Sequence, residues 1–163
     1  MTDNQQDRFW ADGHSFVGKI YLLDATGKVP VHIFKSHHDF SFGVDINTDD
    51  GWLKVGGSAA APAFLFRFHS KTEARLHFTV ALAANSRRQL GMNSSGYLGL
   101  YEQDASLDYW KLQPLSWAKN ELRCYLRDHQ GHQVKSTHDS GAKFAYLTTG
   151  AGTPHEFLIE KAT

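Results

Sequence analysis

Along this chain apolar and polar positions alternate in short runs, and no segment sustains a helical period for long. The runs are Lys19–Leu23, Val31–Lys35, Phe42–Ile46, Trp52–Val55, Phe64–Phe68, Leu76–Leu82, Tyr97–Tyr101, Tyr109–Leu112, Leu122–Leu126, Phe144–Thr148 and Glu156–Glu160. Each has the length of a strand, is rich in Phe, Tyr, Val, Leu or Ile, and is bounded by Gly, Pro, Asn, Asp or Ser, which close turns. A helix competes only over Thr72–Asn85, where His77-Phe78-Thr79-Val80 favours a strand. The pattern predicts an all-β domain of the barrel or sandwich type.

Self-comparison divides most of the chain into thirds. Val31-His-Ile-Phe, Leu76-His-Phe-Thr and Leu122-Arg-Cys-Tyr begin 45 and 46 residues apart. About 20 residues after each comes a polar turn ending in glycine: Asn47 to Gly51, Asn93 to Gly96, and His138 to Gly141. Glycine suits such turns because it takes the positive φ that closes a hairpin. A short strand and then an aromatic strand complete each unit. The expected organisation is a tail over residues 1–7 and one domain over 8–163, with 8–30 an extension and 31–163 three repeats.

Gly96-Tyr-Leu-Gly-Leu-Tyr101, followed by Trp110-Lys-Leu112, resembles the glycine–aromatic–Leu signature of β-trefoil repeats, which lectin-like and fascin-like trefoils share. The resemblance implies a β-trefoil of three units of about 45 residues, with ligands taken on the hairpin loops. It covers roughly residues 31–163 and is best in the middle unit. The Gln-x-Trp of the ricin-B branch is missing, so that branch's sugar residues are not carried over. A β-sandwich is the alternative fold, and it gains if residues 8–30 supply core strands.

Hydrophobic residues make up 41% and aromatic residues 13% of the 163, enough for a core without crosslinks. Lys+Arg and Asp+Glu both number 17, so the net charge is zero with His neutral. Nucleic-acid binders usually carry a basic excess, so nucleic acid is not an expected partner. Cys124 is the sole cysteine, which excludes an intrachain disulfide and favours a reducing compartment. No apolar run reaches the ~20 residues of a membrane span, and Met1–Asp7 lacks the basic and apolar regions of a signal peptide. Cytoplasmic residence without membrane insertion is therefore expected.

Catalytic templates are not found: there is no Gly-x-Ser-x-Gly, His-Glu-x-x-His or Cys-x-x-Cys. Cys124, in an apolar strand, reads as a buried small residue. Asp45 to Gly56 misses the calcium-loop pattern, with glycine in the seventh rather than the sixth place. The ten histidines include His37 and His38 beside Asp39, and His129 near His132, but their spacing does not converge on a metal. No cofactor and no metal are expected. A sugar site needs a flat apolar face and short polar groups, and each hairpin offers some. The candidates are Asn47, Asp49 and Trp52, then Asn93, Ser94 and Tyr97, then His138 and Asp139, with Tyr146 nearby. Tyr97 and Tyr101 also read as core residues on one strand face. The expected function is non-catalytic carbohydrate binding, with a glycan or glycoprotein as partner. The alternative is a protein-binding trefoil, either actin-bundling like fascin or protease-inhibiting. Homodimerisation is compatible with either. Because the polar residues differ between units, one unequal site is expected rather than three.

Overall fold

The computed structural model describes residues 7–57, 59–102, 108–137 and 144–162. The tail up to Gln6, along with His138 and Asp139, lies outside the described residues. The described chain forms thirteen strands: β1 (Phe16–Asp24), β2 (Gly27–Asp39), β3 (Val44–Val55), β4 (Phe64–Lys71), β5 (Leu76–Leu82), β6 (Asn85–Met92), β7 (Leu98–Glu102), β8 (Trp110–Ala118), β9 (Glu121–Arg127), β10 (Lys135–Thr137), β11 (Ala145–Thr148), β12 (Thr153–Pro154) and β13 (Glu156–Lys161). The fold is all-β. Strands β1, β2, β3, β7, β6, β5, β8, β9 and β13 pair in a circuit that closes a nine-stranded barrel. Because β4 pairs with both β1 and β5, a shorter circuit of β1, β4, β5, β8, β9 and β13 closes as well. Among the described residues no helix is long and apolar enough to cross a membrane.

The alternation in the strands explains the burial. In β1 the pattern is buried at Phe16, Gly18, Ile20 and Leu22, and in β9 at Leu122, Cys124 and Leu126. These period-two residues face inward. Phe16 pairs with Phe66, Leu76 with Leu112, and Leu122 with Ile159. Next along, Phe66 pairs with Val80, Leu112 with Leu126, and Ile159 with Ile20. All nine belong to one hydrophobic core. Phe16 stacks on Phe66 at 4.6 Å, and Phe78 meets both edge-on. Trp10, in the turn before β1, adds edge contacts to Phe16 and Trp117.

Two differences from the sequence reading are structural. The segment 8–30, expected as an extension, contributes β1, which is hydrogen-bonded to β2, β4 and β13 and helps close the barrel. The turn expected at Asn47–Gly51 is part of β3, and the hairpin turns instead at Phe40–Gly43. The reason is a long first hairpin: β2 and β3 remain paired from Phe34↔Asp49 out to Asp39↔Val44. The polar residues of 45–50 therefore line a two-stranded arm instead of closing it. The second turn is as expected, with Gly96 at φ +86° and its N–H donating to Asn93 O at 3.0 Å.

Candidate functional site

The arm's base carries a large irregularity. From Phe34↔Asp49 to His32↔Lys54, β2 advances two residues while β3 advances five. Such a bulge turns side chains away from the regular pleat. Here it carries Trp52 across to β7, where Trp52 pairs with Gly99. Two further pairings have the same offset: Tyr97 with Thr148, and Tyr146 with Lys54. Each of the three hairpins thus offers one aromatic residue, and each lies opposite the residue two positions past the next aromatic. Trp52, Tyr97 and Tyr146, with Asn93, line one depression of about 300 Å³.

The groups beneath explain why the aromatic rings hold their places. A Cβ on Gly99 would come within 2.9 Å of Trp52 Cε3, so only glycine leaves room for the indole there. Lys54 Nζ sits 5.6 Å from the Tyr146 ring. The Lys54 side chain is fully buried, donates to Trp52 O at 2.7 Å, and is ion-paired with Asp50. Asp50 in turn accepts Trp52 N–H at 3.1 Å, so both backbone polar groups of Trp52 are held by one ion pair. Burial pushes the Lys54 ammonium below its ordinary pKa, and the Asp50 carboxylate opposes that shift. One step earlier, Asp49 accepts Gly51 N–H and a bidentate contact from Arg88 at 2.5 and 2.9 Å. The Arg88 hydrogen bonds hold its carboxyl below the usual range. Two ion pairs, Lys54–Asp50 and Arg88–Asp49, brace the bulge.

The expected candidates therefore separate. Trp52, Asn93 and Tyr97 come together, and Tyr146 joins them. Asn93 Oδ1 accepts the N–H groups of Ser95 and Tyr97, both at 2.9 Å, and so closes its turn. Its Nδ2 has no hydrogen-bond partner among the described residues. Tyr97, expected to fill the core as well as serve a ligand, is 36% exposed. Tyr101 is the inward one: its hydroxyl is buried and its ring meets Trp52 at 6.2 Å. Asp49 is committed to Arg88, Asn47 accepts from Ser36 on the arm, and Ser94 is exposed in its turn without lining the depression. Sequence reasoning missed Lys54, Arg88 and Gly99. An aromatic–Leu dipeptide occurs in each third, Trp52-Leu53, Tyr97-Leu98 and Tyr146-Leu147, with all three leucines fully buried. That signal would have set Tyr146 beside the other two.

A larger depression, about 490 Å³, lies between the turn at Arg8–Asp12, the β4–β5 loop and β8. Its lining mixes Arg8, Lys71 and Arg75 with Asp12 and Glu73, and Lys71 is paired with Asp12 at 3.0 Å. Trp117 is the single aromatic residue among its described lining, a poor match to a sugar face. Among the described residues no three His, Cys, Asp or Glu side chains group as metal ligands. Cys124 is fully buried, and burial raises its thiol pKa far above the ordinary value, which keeps it protonated. In comparisons with protein-family models, curated proteins and solved structures, nothing matches this chain.

Proposed function

We propose that this protein is a non-catalytic carbohydrate-binding β-trefoil with one site, on the cap where the three hairpins meet. The trefoil reading is supported by the barrel register. Phe16, Leu76 and Leu122 hold corresponding places, as do Phe66, Leu112 and Ile159, and Val80, Leu126 and Ile20 each lie four residues past one of the first set. The hairpins β2–β3, β6–β7 and β10–β11 would then be the three caps, and β1–β4, β5–β8 and β9–β13 the three units.

The observation that carries the functional reading is the convergence of Trp52, Tyr97 and Tyr146 on one depression with Asn93 at its side. Aromatic faces receive the C–H face of a pyranose, and an amide N–H donates to a hydroxyl. The volume is at the low end of ligand sites, which run ~300–1,000 Å³, and so suits one or two sugar rings. None of the four lining side chains is charged, and Lys54 behind Tyr146 is neutralised by Asp50, which favours an uncharged glycan.

A glycan array probed with the wild-type chain and with Trp52→Ala tests this reading. The expected outcome is binding to a neutral glycan that the variant loses. An array without any bound glycan would sink the reading. If the chain then co-sedimented with actin filaments or inhibited a protease, the protein-binding alternative would take its place.

A further inference from the structure

Away from the aromatic depression, cations gather on the outer face of the sheet formed by β5, β8 and β9. The register sets His77 opposite Lys111 and Lys111 opposite Arg127, in one row across the three strands. The adjacent row, Leu76, Leu112 and Leu126, belongs to the core, so Lys111 and Arg127 face outward. Like charges directly opposite on neighbouring strands are unfavourable. A third cation joins them. Arg127 Nη1 donates to Gly131 O at 3.0 Å, and a Cβ on Gly131 would come within 3.2 Å of Arg75 Nη1. Two guanidinium groups therefore meet at one glycine. Among the described residues Arg75, Lys111 and Arg127 make no ion pair.

Four carboxylates lie around this face. Asp12 is paired with Lys71, Asp108 lies beside His129, Asp128 is buried within the loop before His132, and Glu73 lines the neighbouring depression. None of them governs the row. Burial and then Arg75 push the Arg127 guanidinium below its ordinary pKa, and burial followed by Lys111, His69 and Arg75 does the same to His77. No carboxylate is among the groups that shift either one. Gln113 sits in the middle: its Oε1 accepts Arg127 Nε–H at 3.0 Å, which leaves its Nε2 as a donor. Arg75 and Gln113 also wall the depression of about 490 Å³, whose lining includes Leu115, Pro114 and Trp117. Donors approaching from three strands suit a tetrahedral oxyanion better than a planar carboxylate. The apolar lining beside them suits an organic group esterified to that oxyanion.

We propose that the face between Arg75, Lys111 and Arg127 binds the oxyanion of a phosphate or sulfate monoester, with the organic part of the ligand in the adjoining depression. The site is separate from the aromatic depression and does not depend on the sugar reading. Titration calorimetry with phenyl phosphate and with phenyl sulfate, at constant ionic strength, tests it, and the tighter ligand identifies the oxyanion. The wild type is expected to bind that ligand saturably at one site per chain, and the matching inorganic anion several-fold more weakly. Arg75→Gln should weaken binding about tenfold. Its thermal midpoint should be unchanged or higher, because a like charge beside Arg127 is removed. Lys111→Gln should weaken binding several-fold, and Trp52→Ala should bind as the wild type does. Absence of saturable binding to either ester, equal binding by Arg75→Gln, or loss of binding in Trp52→Ala would overturn the proposal.

Discussion

His32 donates its Nε2–H to Gly56 O at 2.6 Å and accepts Phe34 N–H at Nδ1, 3.1 Å away, with 1% of its surface exposed. Protonation would break the second contact, and burial holds the pKa below its ordinary value. His77 is shifted the same way, by burial first and then by Lys111. In both cases the unfolded chain takes up a proton near pH 6.5 that the folded chain refuses. Their contribution to stability is therefore full above that pH and declines as the pH falls through it. Thermal midpoints should drop between pH 7.5 and 5.5, and His32→Gln, less stable throughout, should show a shallower decline. Asp49 acts in a lower window: its carboxyl is held down in the fold, so its contribution is lost only toward pH 4 and below. Gly99 gives a second residue-scale prediction. Gly99→Ala forces the Trp52 indole to move, so glycan affinity should fall about tenfold by calorimetry, while the barrel stays folded. Trp52, Asn93 and Tyr97 were legible because turn-forming and aromatic residues cluster in the sequence. Lys54 was not, since a lysine in an alternating strand ordinarily points to water; only the bulge and Asp50 bury it.

At the scale of elements, β3 decides the site. Its bulge is held by the Lys54–Asp50 pair, so Asp50→Asn leaves a buried ammonium with a weaker partner. The expected cost is about 2 kcal/mol, discounted because Asp50 is partly exposed. That corresponds to about 4–8 °C in a calorimetric melt of a domain this size. Strand β1 provides the complementary prediction. It pairs with three neighbours, so deleting residues 8–23 should abolish cooperative unfolding followed by circular dichroism. An extension outside the barrel could be removed with little effect. Most strands were legible, as in Leu122–Leu126, where apolar residues and burial alternate together; the polar β6 was not, and β5 is buried on both faces, so its alternation understates its burial. The length of the first hairpin was not: the polar run Asn47–Gly51 reads as a turn, yet it lies within β3, which stays paired with β2 out to Asp39↔Val44. The expected third turn, His138 to Gly141, lies outside the described residues.

For the whole molecule, a closed barrel turns three separate hairpins into one surface. Strands β3, β7 and β11 approach one another only because the circuit through β1, β13, β9, β8 and β5 closes behind them. Side chains 45 and 49 residues apart in the chain can then share one depression. Beside that surface, Arg88 is paired with Asp49 and Lys54 with Asp50. Titration calorimetry with the glycan selected on the array tests whether the three aromatic residues form a single sugar site. One site per chain is expected, with no detectable heat for Trp52→Ala and at least tenfold weaker binding for Tyr146→Ala. Three equivalent sites per chain, or a Trp52→Ala variant that binds as the wild type does, would contradict it.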